Sequence, residues 1–177
     1  MNHIMLDLET WGEAPGCAIR SIGAVVFDPR TGKLGEEFYA NIEDRSCPDF
    51  GLIREPETEQ WWLDQSIDAQ AAFATDRRDI DVALTDFRMW FIRQHGKFVW
   101  GHGASFDPPI IEHAMAACGI EVPWNFWDVR CCRTVLALGN RKPQRAGGDV
   151  RHRALDDAKA QARAVAAVFR TATFEPN

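Results

Sequence analysis

The chain is 177 residues long, 46% of them hydrophobic, with a net charge of −6 at pH 7. That length suits one ordinary domain spanning residues 1–177, and that apolar content excludes intrinsic disorder as the default. The acidic balance has the wrong sign for a protein that coats nucleic acid by bulk charge, and no apolar run approaches the roughly 20 residues that cross a bilayer.

The first residues enter a strand pattern at once, without a charged leader segment, so a cytoplasmic location is expected. Residues 3–8 read as one strand, 18–27 as a second and 34–42 as a third. Asp28-Pro29-Arg30-Thr31-Gly32-Lys33 supplies hairpin-loop chemistry between the last two. Thr58 can open a short helix through Trp61 and Trp62, and a second short helix is expected around Ser66 to Phe73. Ile80, Ala83, Leu84, Phe87, Trp90 and Phe91 recur at helical spacing and predict an amphipathic helix.

Lys97 to Gly101 reads as a buried strand. Asp107-Pro108-Pro109 opens a helix, since proline fits a first turn, and Cys118-Gly119 closes it. A short segment near Phe126, a helix from Asp128 to Leu138 and a last helix from Ala154 to Thr171 complete the chain. The last carries Leu155, Ala158, Ala162, Val165 and Phe169 as its buried stripe. Strands first, then strands alternating with helices, predict an α/β fold with a mixed sheet flanked by helices.

Five cysteines, an odd number without any Cys-x-x-Cys, argue against a disulfide framework and a structural zinc site. Cys131 and Cys132 read as two buried thiols. From Asn140 to Arg153 the chain carries Arg141, Lys142, Arg145, Arg151 and Arg153 against the single acid Asp149, a loop able to grip phosphates.

Chemistry concentrates in a few acids. In Ile4-Met5-Leu6-Asp7-Leu8-Glu9 a strand puts Ile4, Leu6 and Leu8 on one face and Asp7 with Glu9 on the other. Like charges so placed repel, and a hard divalent cation with oxygen ligands is the simplest partner. An ordinary solvated face is the bland reading of that pair. Asp107 follows a buried strand, where an N-cap is the bland role. His152 and Asp157, five apart, point about 140° away from each other on a helix. Both serve one site only if His152 sits on the loop before the helix and Asp157 in its first turn. Periodicity leaves Asp156 and Asp157 as alternatives.

Asp7-x-Glu9, Asp107 after a strand, and His152-x-Ala154-x-x-Asp157, in this order, resemble the three motifs of the DEDDh 3′→5′ exonuclease family. Gly101-His102-Gly103-Ala104-Ser105-Phe106-Asp107 and Thr58-Glu59-Gln60-Trp61-Trp62 are similar to its small stand-alone branch, although many relatives carry Asn where His102 stands. The resemblance implies a ribonuclease-H-like fold and two divalent ions, Mg²⁺ or Mn²⁺, held by Asp7, Glu9, Asp107 and Asp157. It also implies His152 as general base. Nucleoside 5′-monophosphates would leave the 3′ end of single-stranded RNA or DNA, and a homodimer is plausible by the same analogy.

Among contacts to substrate, Thr10 and Trp11 directly follow the first motif and Phe106 precedes Asp107. Trp11 is the first choice for stacking on a terminal base, and Arg145 and Arg151 for phosphates. The rival from another class is a catalytically inactive nucleic-acid-binding module of the same fold, which the full set of five side chains weighs against. A plain α/β domain with surface carboxylates and a cysteine hydrolase are weaker readings.

Overall fold

The computed structural model describes residues 1–171. Its six-stranded sheet runs β4-β3-β2-β1-β5-β6. Strand β1 covers His3–Thr10, β2 Ile19–Phe27, β3 Leu34–Ile42, β4 Arg77–Arg78, β5 Phe98–Gly101 and β6 Val129–Cys131. The first three form an antiparallel meander, while β5 joins β1 and β6 joins β5 in parallel. The helices are α1 (Pro56–Leu63), α2 (Ile67–Ala71), α3 (Ile80–Arg93), α4 (Asp107–Ala117), α5 (Cys132–Leu138) and α6 (Ala154–Thr171).

Alternation along β1 divides the molecule into two layers. Ile4, Leu6 and Leu8 enter a core with Leu84, Phe87 and Phe91 of α3 and Ile111 and Met115 of α4. Met5 points the other way, into a smaller core with Val25, Phe27, Trp100, Leu136 of α5 and Ala158, Ala162 and Val165 of α6. The alanines of α6 let that helix lie close on the sheet. At Gly23, opposite Asp7 in the β1–β2 register, an added Cβ would stand 2.2 Å from the backbone of Ala154 and Leu155. This close approach brings the first turn of α6 beside Asp7 and Glu9.

The hairpin 28–33 forms as its sequence predicts, with Asp28 Oδ1 accepting from the Arg30 N–H at 2.9 Å. The second strand begins at Ile19 rather than 18, and α1 begins at Pro56 rather than Thr58, with proline in its first turn. The expected helix from Asp128 to Leu138 is corrected. Asp128 ends a 3₁₀ turn, Val129–Cys131 is the edge strand β6, and the helix starts at Cys132. Cys131 is half-buried, not buried, and its Sγ caps α5 by accepting from the Thr134 N–H. All five cysteines are free. Among the described residues no helix is long and apolar enough to cross a membrane.

Candidate active site

Asp7 and Glu9 leave the α6 side of β1 just before its end. Asp107 is the first residue of α4, with Phe106, not Asp107, in the capping position. Its carboxylate turns away from its own helix: Oδ1 accepts from the Leu8 N–H at 3.1 Å and Oδ2 from the His102 N–H at 2.9 Å. The N-cap reading of Asp107 is therefore replaced by one in which the side chain closes the gap between β1 and β5. Pairing of those strands has already stopped at Met5 and Trp100, which leaves the Leu8 N–H in want of an acceptor. Gly101 makes room, since a Cβ there would lie 2.9 Å from Asp107 Oδ2.

Asp157 sits in the first turn of α6 and His152 on the loop before it, the arrangement that lets residues five apart face one place. The backbone joins them, the His152 N–H donating to Asp157 Oδ2 at 3.1 Å. His152 has φ 60°, a left-handed conformation uncommon for a residue with a Cβ. Its ring stands edge-on to Trp61 at 5.0 Å and Trp62 at 6.0 Å. Its Nε2 is buried with no hydrogen-bond partner among the described residues. Asp156, the alternative to Asp157, is turned aside and engaged by Arg153, Lys159 and the Val150 N–H.

Asp7, Glu9, Asp107, His152 and Asp157 all line one cleft of about 750 Å³. Burial, followed by the charges of Asp107, Glu9 and Asp157, holds the Asp7 carboxyl well above the usual carboxylate range. Burial, with Asp157 and Asp107, pushes Glu9 up to about 8, against the opposing cations Arg20 and Arg145. Burial raises Asp107 to about 7 despite its two backbone donors, and it raises Asp157 against Arg145. Burial and the Arg151 charge lower His152 below its ordinary 6.5, keeping the ring neutral near pH 7.

This donor set fits divalent cations. The oxygens are hard, the carboxylates are mutually repulsive, and Glu9, His152 and Asp157 each offer a ligand atom within 4.8 Å of the others. Among the described residues only Arg145 makes an ion pair with any of the four carboxylates.

The expected substrate contacts fare unevenly. Trp11 is corrected: it is 7% exposed, its indole N–H donates to Asp44 at 2.8 Å, and Arg20 and Arg54 lie over its ring. It is a core residue beside the site and presents no free face to a base. Thr10 is also buried, its hydroxyl donating to the Gly12 carbonyl at 2.6 Å. Arg151 is exposed and stands outside the cleft lining. Phe106 and Arg145 line the cleft, and Phe106 also lines a second hollow of about 500 Å³ that shares Leu8 and Glu9 with the first.

Sequence reasoning missed Gln161, whose amide donates to Asp7 Oδ1 at 2.6 Å. Its place four residues after Asp157, on the same side of α6, was the available signal. It also missed Arg133, which lines the cleft and donates to the His102 carbonyl at 2.9 Å. Nothing in the local pattern marks that residue.

A mixed sheet of this strand order, with helices on both faces and a carboxylate cleft at the ends of β1 and β5, defines a ribonuclease-H-like fold. A solved structure of Exonuclease X in complex with 5′ overhanging duplex DNA shares this fold, with a TM-score of 0.62 and 16% identity over 98% of this chain and 94% of that one. No curated protein matches the sequence. The model of the Rv2179c-like 3′-5′ exoribonuclease domain matches residues 2–169, and the chain belongs to that family of 3′-5′ exonucleases.

Proposed function

We propose that the protein is a metal-dependent 3′→5′ exonuclease that releases nucleoside 5′-monophosphates from single-stranded RNA or DNA. In this reading Asp7, Glu9, Asp107 and Asp157 hold two divalent ions, Mg²⁺ or Mn²⁺. When bound, the ions supply positive charge to the phosphoryl oxygens and favour ionisation of the attacking water. The observation that carries the reading is the meeting of four carboxylates and one neutral histidine in a single cleft, although the chain separates them by as much as 150 residues (Asp7 to Asp157).

His152 suits the role of general base. Its ring is uncharged near pH 7, and its Nε2 has no hydrogen-bond partner among the described residues. Trp61 and Trp62 flank the ring edge-on, and a ring nitrogen lies within 4.8 Å of ligand atoms of Glu9 and Asp157. Arg133, Arg141, Lys142 and Arg145 line the same cleft and suit the phosphodiester backbone. The neighbouring hollow has Glu13, Glu55 and Glu57 in its wall and, among the described residues, no cation. Phosphate is unwelcome there, but a base can rest against Trp61, which is 44% exposed. The terminal nucleoside would therefore occupy the acidic, aromatic hollow, with the scissile phosphate at the carboxylates and the rest of the strand along the cations.

The test is degradation of 5′-labelled RNA and DNA single strands with Mn²⁺ or Mg²⁺. Stepwise shortening from the 3′ end, stopped by chelator, is expected. Intact oligonucleotide under every metal condition would leave the inactive binding module as the better reading.

A further inference from the structure

Arg145 and Asp157 form a pair whose chemistry differs from that of the other carboxylates. Arg145 Nε donates to Asp157 Oδ1 at 2.6 Å, and Nη2 reaches the same oxygen. The His152 N–H takes Oδ2. Two donors from one loop thus hold both oxygens of a proposed metal ligand. A guanidinium and a divalent cation repel each other strongly across a shared Oδ1, most of all where burial lowers the dielectric. One of them has to yield.

The geometry identifies which. The Asp157 side chain is 12% exposed and sits on an 18-residue helix, while that of Arg145 is 37% exposed on a loop without helix or strand. Arg145 is also a residue of the basic side of the cleft, in company with Arg133, Arg141 and Lys142. Released from Asp157, its guanidinium stays within the same cleft, where its planar donor set matches a phosphate.

We infer that Arg145 is an exchangeable counter-ion, which neutralises Asp157 until a divalent cation takes that oxygen and then turns to the phosphate of the substrate. This rests on the metal-dependent reading above and adds an order of events to it. Metal loading and phosphate capture become coupled through one side chain. The coupling is reciprocal: a phosphate that draws Arg145 away favours the metal as much as the metal favours the phosphate.

Titration calorimetry of Mn²⁺ into the chelator-treated full chain tests it, with wild type, Arg145→Gln and Arg145→Lys, each with and without adenosine 5′-monophosphate. Arg145→Gln is expected to bind Mn²⁺ alone about five-fold tighter or more, and to lose most of the further tightening that the nucleotide gives wild type. Arg145→Lys, which keeps the charge, is expected to stay near wild type in the absence of nucleotide. Unchanged or weaker Mn²⁺ binding by Arg145→Gln would overturn the inference, and the second outcome would make Arg145 a scaffold for Asp157. Absence of Mn²⁺ binding by wild type would instead remove the nuclease reading on which it stands. Trypsin offers a second readout, since cleavage after Arg145 should quicken when Mn²⁺ is added to wild type. An unchanged rate would overturn the inference.

Discussion

The two sides of the carboxylate cluster are built from opposite charges. On one side Arg133, Arg141, Lys142 and Arg145 come from α5 and the loop before α6; on the other Glu13, Glu55 and Glu57 stand with Trp61 and Phe106. Both sides share Leu8, Glu9 and Phe106. In the proposed reading a chain with a net charge of −6 can still receive a polyanion, because four of its cations line the side where phosphates would run and three of its acids the side where a nucleoside would end. Charge placed along a cleft orients a ligand even when total charge opposes it.

The most severe way to break this division is to remove its centre. Asp7→Asn is expected to cut turnover by about 10²–10³-fold or more, judged by product release with Mn²⁺. The same change removes the cost of burying an ionisable carboxyl, and with it the repulsion from its neighbours, so the metal-free protein should melt higher, by about 2–4 °C for each kcal/mol relieved. A variant that lost activity together with stability would point to a scaffolding carboxylate.

His152→Ala is expected to lower kcat by roughly 10²–10⁴-fold while Mn²⁺ affinity stays near wild type, which separates a proton acceptor from a ligand. Next in size, Trp61→Ala should raise KM by a factor corresponding to roughly 1–3 kcal/mol of base stacking, with an unchanged salt dependence. Lys142→Gln should do the reverse, with a modest KM effect and a salt slope shallower by about 0.7. Equal salt slopes in the two variants would erase the distinction between the two sides.

A further effect concerns pH and stability rather than turnover. Glu9 is raised to about 8 and Asp107 to about 7, so the folded metal-free protein holds protons that the unfolded chain gives up in the acid range. Its stability should then fall as pH climbs from about 4.5 to about 8, and added Mn²⁺ should flatten that decline. Thermal melts across the range, with and without metal, measure it.

Much of this was legible because the relevant patterns are strong. Alternation in β1 separates Asp7 and Glu9 from the core, and the long apolar stripe of α6 fixes where the helix begins, and hence where His152 and Asp157 fall. Short elements were not. Strand β6 has three residues and runs straight into α5, and β4 is two exposed arginines, so neither shows a period. Trp11 was misread because adjacency to Glu9 in sequence ignores the register shift after Glu9, beyond which the chain bends into the core. Which aromatics stand in the open had to be seen in space, since what distinguishes Phe106 and Trp61 from the buried Trp11 is the hollow they share with Glu9.

Anomalous diffraction from crystals grown with Mn²⁺ and adenosine 5′-monophosphate addresses the central claim most directly. Two peaks are expected among Asp7, Glu9, Asp107 and Asp157, with the nucleotide phosphate beside them and its base against Trp61. Manganese bound elsewhere, or a carboxylate cluster that stays without it at saturating concentration, would contradict the assignment of these four side chains as the metal site.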